Sequence, residues 1–204
     1  MIRTGIGGWV YPDWRKGRFY PQGVTQKREL EYASRALGAI EINGTYHSLQ
    51  KPESFRKWRA ETPDGFVFAV KGSSYITNRK VLAGAGESMV KFFGQGLEEL
   101  GDRLGPILWQ LMGTKKFDAD DIAAFFALLP RELKGLPLRY AIEVGHESFA
   151  CSHQTIATPA SRHKSTNCVQ AKFSCPISSA WRSGRPLCSF GSSAKNAASA
   201  QPIF

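Results

Sequence analysis

A chain of 204 residues can bury one sizeable core, yet it is short for a complete eight-unit β/α barrel, which takes about 250 residues. With 42% apolar and 22% charged residues, no run near the ~20 apolar residues of a membrane span and no secretory leader at the start, the expectation is a globular cytoplasmic protein with no membrane partner. The net charge of +10 suggests an acidic partner, but residues 1–150 carry 21 basic against 17 acidic residues, and 151–204 carry six scattered basic residues and no acid, which is no dense nucleic-acid patch.

In chain order, residues 2–8 read as a short first strand between glycines, followed by an aromatic loop with Trp9, Tyr11, Trp14, Phe19 and Tyr20. Thr25 opens a helix over 27–37, with Leu30, Ala33 and Leu37 on one face. Residues 39–43 form a second strand, and Pro52 starts a helix carrying Phe55 and Trp58. Residues 66–71 are the clearest strand, aromatic and β-branched between Gly65 and Gly72. A helix over 86–100 carries Met89, Phe92, Phe93, Leu97 and Leu100 at helical spacing. Residues 106–111 are the fourth strand, with Pro106 at its start. Asp118 caps a fourth helix with Ile122, Phe125, Phe126 and Leu129 in its stripe, and 138–143 form the fifth strand.

Strands alternating with helices imply a parallel sheet with right-handed crossovers. No dinucleotide-binding glycine fingerprint follows the first strand, so the expected fold is α/β, a partial TIM-type barrel of about five strands and four helices. Four strands end in polar residues, Asn43, Lys71, Gln110 and Glu143. Parallel strands bring these ends to one face, where barrels carry their chemistry, and one common cavity is expected there. Glu41 inside a strand and Lys71 closing an apolar run reinforce this, because an unpaired buried charge costs several kcal/mol.

Several segments together resemble the YecE-like family, domain of unknown function 72. They are Gly7-Gly8-Trp9-Val10-Tyr11-Pro12-Asp13-Trp14 with Phe19-Tyr20-Pro21, then Glu41-Ile42-Asn43-Gly44-Thr45-Tyr46, and Phe66-Val67-Phe68-Ala69-Val70-Lys71 with Ile76-Thr77-Asn78. Leu104-Gly105-Pro106-Ile107-Leu108-Trp109-Gln110-Leu111 and Glu143-Val144-Gly145-His146-Glu147-Ser148-Phe149 complete the set. The resemblance implies a TIM-type barrel in a cytosolic protein and supplies no reaction. Gly145 stands where the family usually has Arg, Asn78 where His is common, and Phe149 where Trp is common.

Residues 151–204 break this pattern. They are rich in Ser, Ala, Pro and Arg and lack both acids and sustained periodicity. The family's later strand segments are not recognisable there, so the segment is expected to be irregular: an out-of-frame or truncated barrel half, or a disordered extension. All four cysteines lie here, Cys151, Cys168, Cys175 and Cys188, at spacings that match no zinc pattern even with His153 and His163 nearby. An open barrel of five strands would expose both sheet edges, and the chain is expected to be inactive and prone to self-association through them.

The candidate catalytic residues are Glu41, Lys71 and Glu143, and the candidate ligand-binding residues are Trp9, Asn43, Tyr46, Gln110 and His146. Lys71 suits a phosphate or carboxylate, or a Schiff base if desolvated; an ion pair with Glu41 or Glu143 explains it equally well. Glu41 and Glu143 suit proton transfer or a structural role at the barrel mouth. His146 and His47 are lone loop histidines that could shuttle protons or be merely polar. No spacing specifies a metal or a known cofactor. Two readings of partner stay open: a small anionic ligand at the strand ends, or a nucleic acid or other phosphodiester stacking on the aromatic loop beside Arg15, Lys16 and Arg18.

Overall fold

The computed structural model describes residues 3–149 and 170–173. The four cysteines, His153 and His163 lie outside them. The element order is β1 (Gly5–Gly7), α1 (Glu29–Ala36), β2 (Ala39–Ile42), α2 (Gly44–His47), α3 (Pro52–Glu61), β3 (Val67–Lys71) and α4 (Ser74–Thr77). Then follow α5 (Gly86–Phe93), β4 (Leu104–Gln110), α6 (Ala119–Ala127), the two-residue strands β5 (Glu132–Leu133) and β6 (Leu136–Pro137), β7 (Tyr140–Val144) and β8 (Gln170–Phe173). The main sheet is parallel in the order β1-β2-β3-β4-β7-β8, and β5 and β6 form a separate antiparallel hairpin.

This is the α/β arrangement expected of an incomplete β/α barrel, and among the described residues no pairing of β1 with β8 closes it. One difference concerns the segment expected to be irregular. Gln170–Phe173 adds to the edge of β7, with Lys172 in register with Glu143. The rest of 151–204 lies outside the described residues. No described helix is long and apolar enough to cross a membrane.

Period-two alternation sorts the strands into two faces. Ile40, Ile42, Phe68, Val70, Ile107, Trp109, Tyr140 and Ile142 join one core cluster with Leu30, Phe55, Phe92 and Phe125 from the helices. Trp109 is fully buried, its ring centroid 5.3 Å from Phe92 and 5.6 Å from Phe125. The other face carries Glu41, Lys71, Leu108, Gln110 and Glu143, all half-buried.

The helix expected over 86–100 is two pieces. α5 ends at Phe93, and a 3₁₀ segment follows Gly96, whose φ of 102° places it in the left-handed region. Asp118 caps α6 as expected, accepting the N–H groups of Asp120 and Asp121. Pro106 lies inside β4, not at its start. The register moves from Phe68 opposite Leu104 to Val70 opposite Ile107, so β4 holds one extra residue at this point. A bulge is where a sheet tolerates a residue without an N–H. The β5–β6 hairpin was not legible in the sequence; its turn is Lys134 and Gly135, both at positive φ.

Candidate functional site

Beyond the carboxyl ends of β2 and β3 the chain turns at once into one-turn helices. Asn43, in helical backbone conformation, begins α2, and the Ser73 hydroxyl caps α4 by accepting the Tyr75 N–H. The buried Thr45 hydroxyl lies 2.7 Å from the Lys71 carbonyl and 3.0 Å from that of Ile42, tying the two strand ends together. Ser74 donates to the Tyr46 carbonyl at 2.9 Å, locking α2 against α4.

On this scaffold the Lys71 ammonium stands 3.7 Å from Glu41 Oε1 and 5.5 Å from the Tyr46 ring centroid. The sequence left Glu41 and Glu143 open as partners, and the ion pair is with Glu41. Gln110 and Glu143 are register partners on β4 and β7, and the Gln110 amide donates to Glu143 Oε1 at 3.0 Å. The Tyr46 hydroxyl and the Asn78 amide meet at 3.3 Å.

Among the described residues, two depressions take up three of the four strand-end residues. Gln110 and Glu143 line a depression of about 310 Å³ with Tyr46, Asn78, Gly113 and Gly145. Asn43 lines a second depression of about 340 Å³ with Trp9, Tyr11, Gln50 and Trp58. Lys71 lines neither and sits beside Tyr46. The reason is local: Asn43 lies one residue past β2 in helical conformation, with φ −85° and ψ −21°, and its amide nitrogen packs over Gly7, 3.1 Å from where a Cβ would stand.

His146 lines neither depression. Its Nδ1 accepts the Ser148 N–H at 3.1 Å, and Ser148 in turn accepts the Phe117 N–H, an arrangement that shapes the loop after β7. The sequence reading left Asn78, Thr45 and Trp58 out of the site. In the sequence Asn78 stands out only as a departure from the family pattern, and Trp58 only as part of a helix face.

The aromatic loop is largely a packed unit. Tyr11 and Trp14 lie 4.4 Å apart, Trp14 and Phe19 5.5 Å, and Phe19 and Tyr20 4.9 Å, and Tyr20 is fully buried. Arg15 is held by the buried Glu29 at 2.6 Å, which raises the pKa of its guanidinium. Among the described residues no three His, Cys, Asp or Glu side chains gather as a metal site requires.

The profile of the family described as "Protein of unknown function DUF72" matches residues 3–187. The chain belongs to the DUF72 family. The match continues past the compositional break after residue 150 and takes in β8. The UPF0759 protein YecE of Escherichia coli is 30% identical over 152 residues, covering 73% of this chain and 50% of that protein. The UPF0759 protein YunF of Bacillus subtilis is 28% identical over 80 residues, covering 39% of this chain and 27% of that protein. The chain thus spans about half the length of the YecE protein and a smaller part of YunF. Among solved structures, a DUF72 protein of Thermotoga maritima superposes with a TM-score of 0.54 at 27% identity, covering 73% of this chain and 57% of that one. One of Enterococcus faecalis gives 0.57 at 24% identity over 74% and 54%, a likeness of fold. The family's description names no activity.

Proposed function

We propose that this DUF72 protein binds a small ligand bearing a phosphate or carboxylate at the carboxyl ends of its parallel strands. The observation that carries this reading is the state of Lys71. Its side chain is only 18% exposed, and its nearest carboxylate oxygen among the described residues stands at 3.7 Å, beyond hydrogen-bonding range. A covered ammonium with three N–H donors needs acceptors, and a bound oxyanion supplies them. Tyr46, Asn78 and Gln110 ring the neighbouring depression as further donors. Strand carboxyl ends are where barrels of this type place their ligands. Glu41 beside Lys71, and Glu143 beside Gln110, are then the groups positioned for proton transfer to or from the ligand.

Calorimetric titration of the full 204-residue chain with inorganic phosphate and with citrate tests the reading. Binding of at least one is expected, weakened about tenfold or more in Lys71→Met, the scale of a lost charge-assisted hydrogen bond. Equal binding by the variant, or none by the native chain, rejects it. If an oligonucleotide binds instead, with affinity falling steeply in salt, phosphodiester recognition takes its place.

A further inference from the structure

The Lys71 reading leaves the second depression unused. We infer that the depression walled by Trp9, Tyr11 and Trp58 is a sugar subsite, holding the ring of an aldose whose phosphate or carboxylate reaches Lys71. This inference rests on the anionic-ligand reading and names its substrate class.

Four observations carry it. The depression measures about 340 Å³, within the roughly 300–1,000 Å³ of small-ligand sites. Trp9 and Trp58 meet edge to face, at 77° with centroids 5.4 Å apart. Two perpendicular indoles form no parallel slot for a flat heteroaromatic ring, but they offer apolar surface to the C–H face of a saturated one.

The polar groups at the rim suit hydroxyls. The Asn43 amide lines the depression and brings one donor group and one acceptor to it. The Gln50 amide nitrogen is tied to Ser48, which leaves its carbonyl oxygen to accept a hydroxyl proton. A hydroxyl both donates and accepts, and a sugar edge presents several in a row.

The two compartments also meet at one short element. Gly44 lines the aromatic depression and Tyr46, whose ring centroid lies 5.5 Å from the Lys71 ammonium, lines the other, and along α2 the two residues are separated by a rise of about 3 Å. A sugar ring in the first can present a terminal phosphate or carboxylate toward the second.

The experiment uses the full chain with glucose, glucose 6-phosphate, glucuronate and inorganic phosphate as probes. Affinity is read by titration, and the indole N–H signals are followed by NMR, with the Trp9 signal assigned from Trp9→Phe. Glucose 6-phosphate or glucuronate should bind at least tenfold more tightly than phosphate and shift the Trp9 signal. Asn43→Leu should bring the sugar ligands down to the affinity of phosphate while leaving phosphate itself unchanged. If that variant does not fold, Asn43→Ala, which removes the amide without adding a charge, should show the same loss. Lys71→Met should weaken phosphate binding about tenfold or more yet keep the glucose-induced shift at Trp9. Sugar ligands that bind no more tightly than phosphate, or leave the Trp9 signal in place, overturn the inference. A native chain that binds no phosphate while glucose still shifts Trp9 overturns the anionic reading alone.

Discussion

Gly72 lies so close to the ring of Trp109 that a Cβ at position 72 would overlap the indole carbons. Its N–H donates to the Leu108 carbonyl at 2.8 Å, so neither partner can draw back without breaking the β3–β4 junction. Gly72→Ala should therefore destabilise the fold by about 1–3 kcal/mol, the usual range for overpacking. Because Lys71 is the preceding residue, the displacement should also weaken phosphate binding. Denaturant unfolding measures the first effect and titration the second; an unchanged midpoint would show that the indole can move aside.

Asp121 joins three segments. It accepts Lys115 Nζ at 2.6 Å, the Leu82 N–H at 3.1 Å and the Ala83 N–H at 2.8 Å, and Lys115 also donates to the Lys80 carbonyl. Burial alone would raise the pKa of its carboxyl, but the hydrogen bonds from Lys115, Ala83 and Leu82 outweigh that and hold it below the ordinary value. A depressed folded pKa means that the contribution is full above the unfolded value of about 3.9 and is lost as the pH falls through the folded one. Asp121→Asn should cost about 3–5 kcal/mol at neutral pH, since it removes the charge that pairs with the buried Lys115 ammonium. It should also flatten the decline of stability below about pH 4. Thermal unfolding of both proteins across that range is the measurement.

Tyr20 predicts the alkaline limb. Burial, with Glu29 and Tyr11 adding in the same direction, pushes its phenol up to about 12. In the unfolded chain a tyrosine ionises near 10, so the stability this burial confers is full below about pH 10 and drains away as the pH rises toward the folded value. Tyr20→Phe should remove part of that slope. An ultraviolet titration in which all six tyrosines ionise together near pH 10 would refute the assignment.

The acid-free composition of 151–204 has its own test. If it records a change of reading frame, the coding DNA read in another forward frame after about codon 150 should yield acidic residues and strand–helix alternation. Stops or patternless sequence in both other frames would leave the segment as encoded, consistent with a family match that runs to residue 187.

Much of the sheet was legible because its residues state it twice, by β-branched or aromatic composition and by flanking glycines; residues 66–71 are the plainest case. The helix over 86–100 misled because Phe92, Phe93, Leu97 and Leu100 keep helical spacing across a break set by Gly96. The parallel strands carry their ends to one side of the sheet, yet Asn43 lines a different depression from Gln110 and Glu143, because alternation fixes the face of a strand residue and stops governing one residue past the strand. The partnership of Trp9 with Trp58 was invisible for a different reason. It joins a loop and a helix far apart in sequence, and no local spacing encodes it.

The extra residue in β4 decides what its last positions mean. Phe68 and Leu104 are partners, and from Leu104 onward an unbroken strand would have sent Pro106, Leu108 and Gln110 toward the helices. The insertion shifts the phase by one, so Trp109 meets Phe92 and Phe125 while Gln110 meets Glu143. Deleting a single residue at Gly105 or Pro106 would therefore do far more than shorten a strand. It would exchange the two sides, sinking an amide into oil and standing an indole among carboxylates. Length at this point is constrained together with identity: a Cβ on Gly105 would stand 2.6 Å from the Phe68 carbonyl oxygen, and a lost codon would invert every side chain that follows.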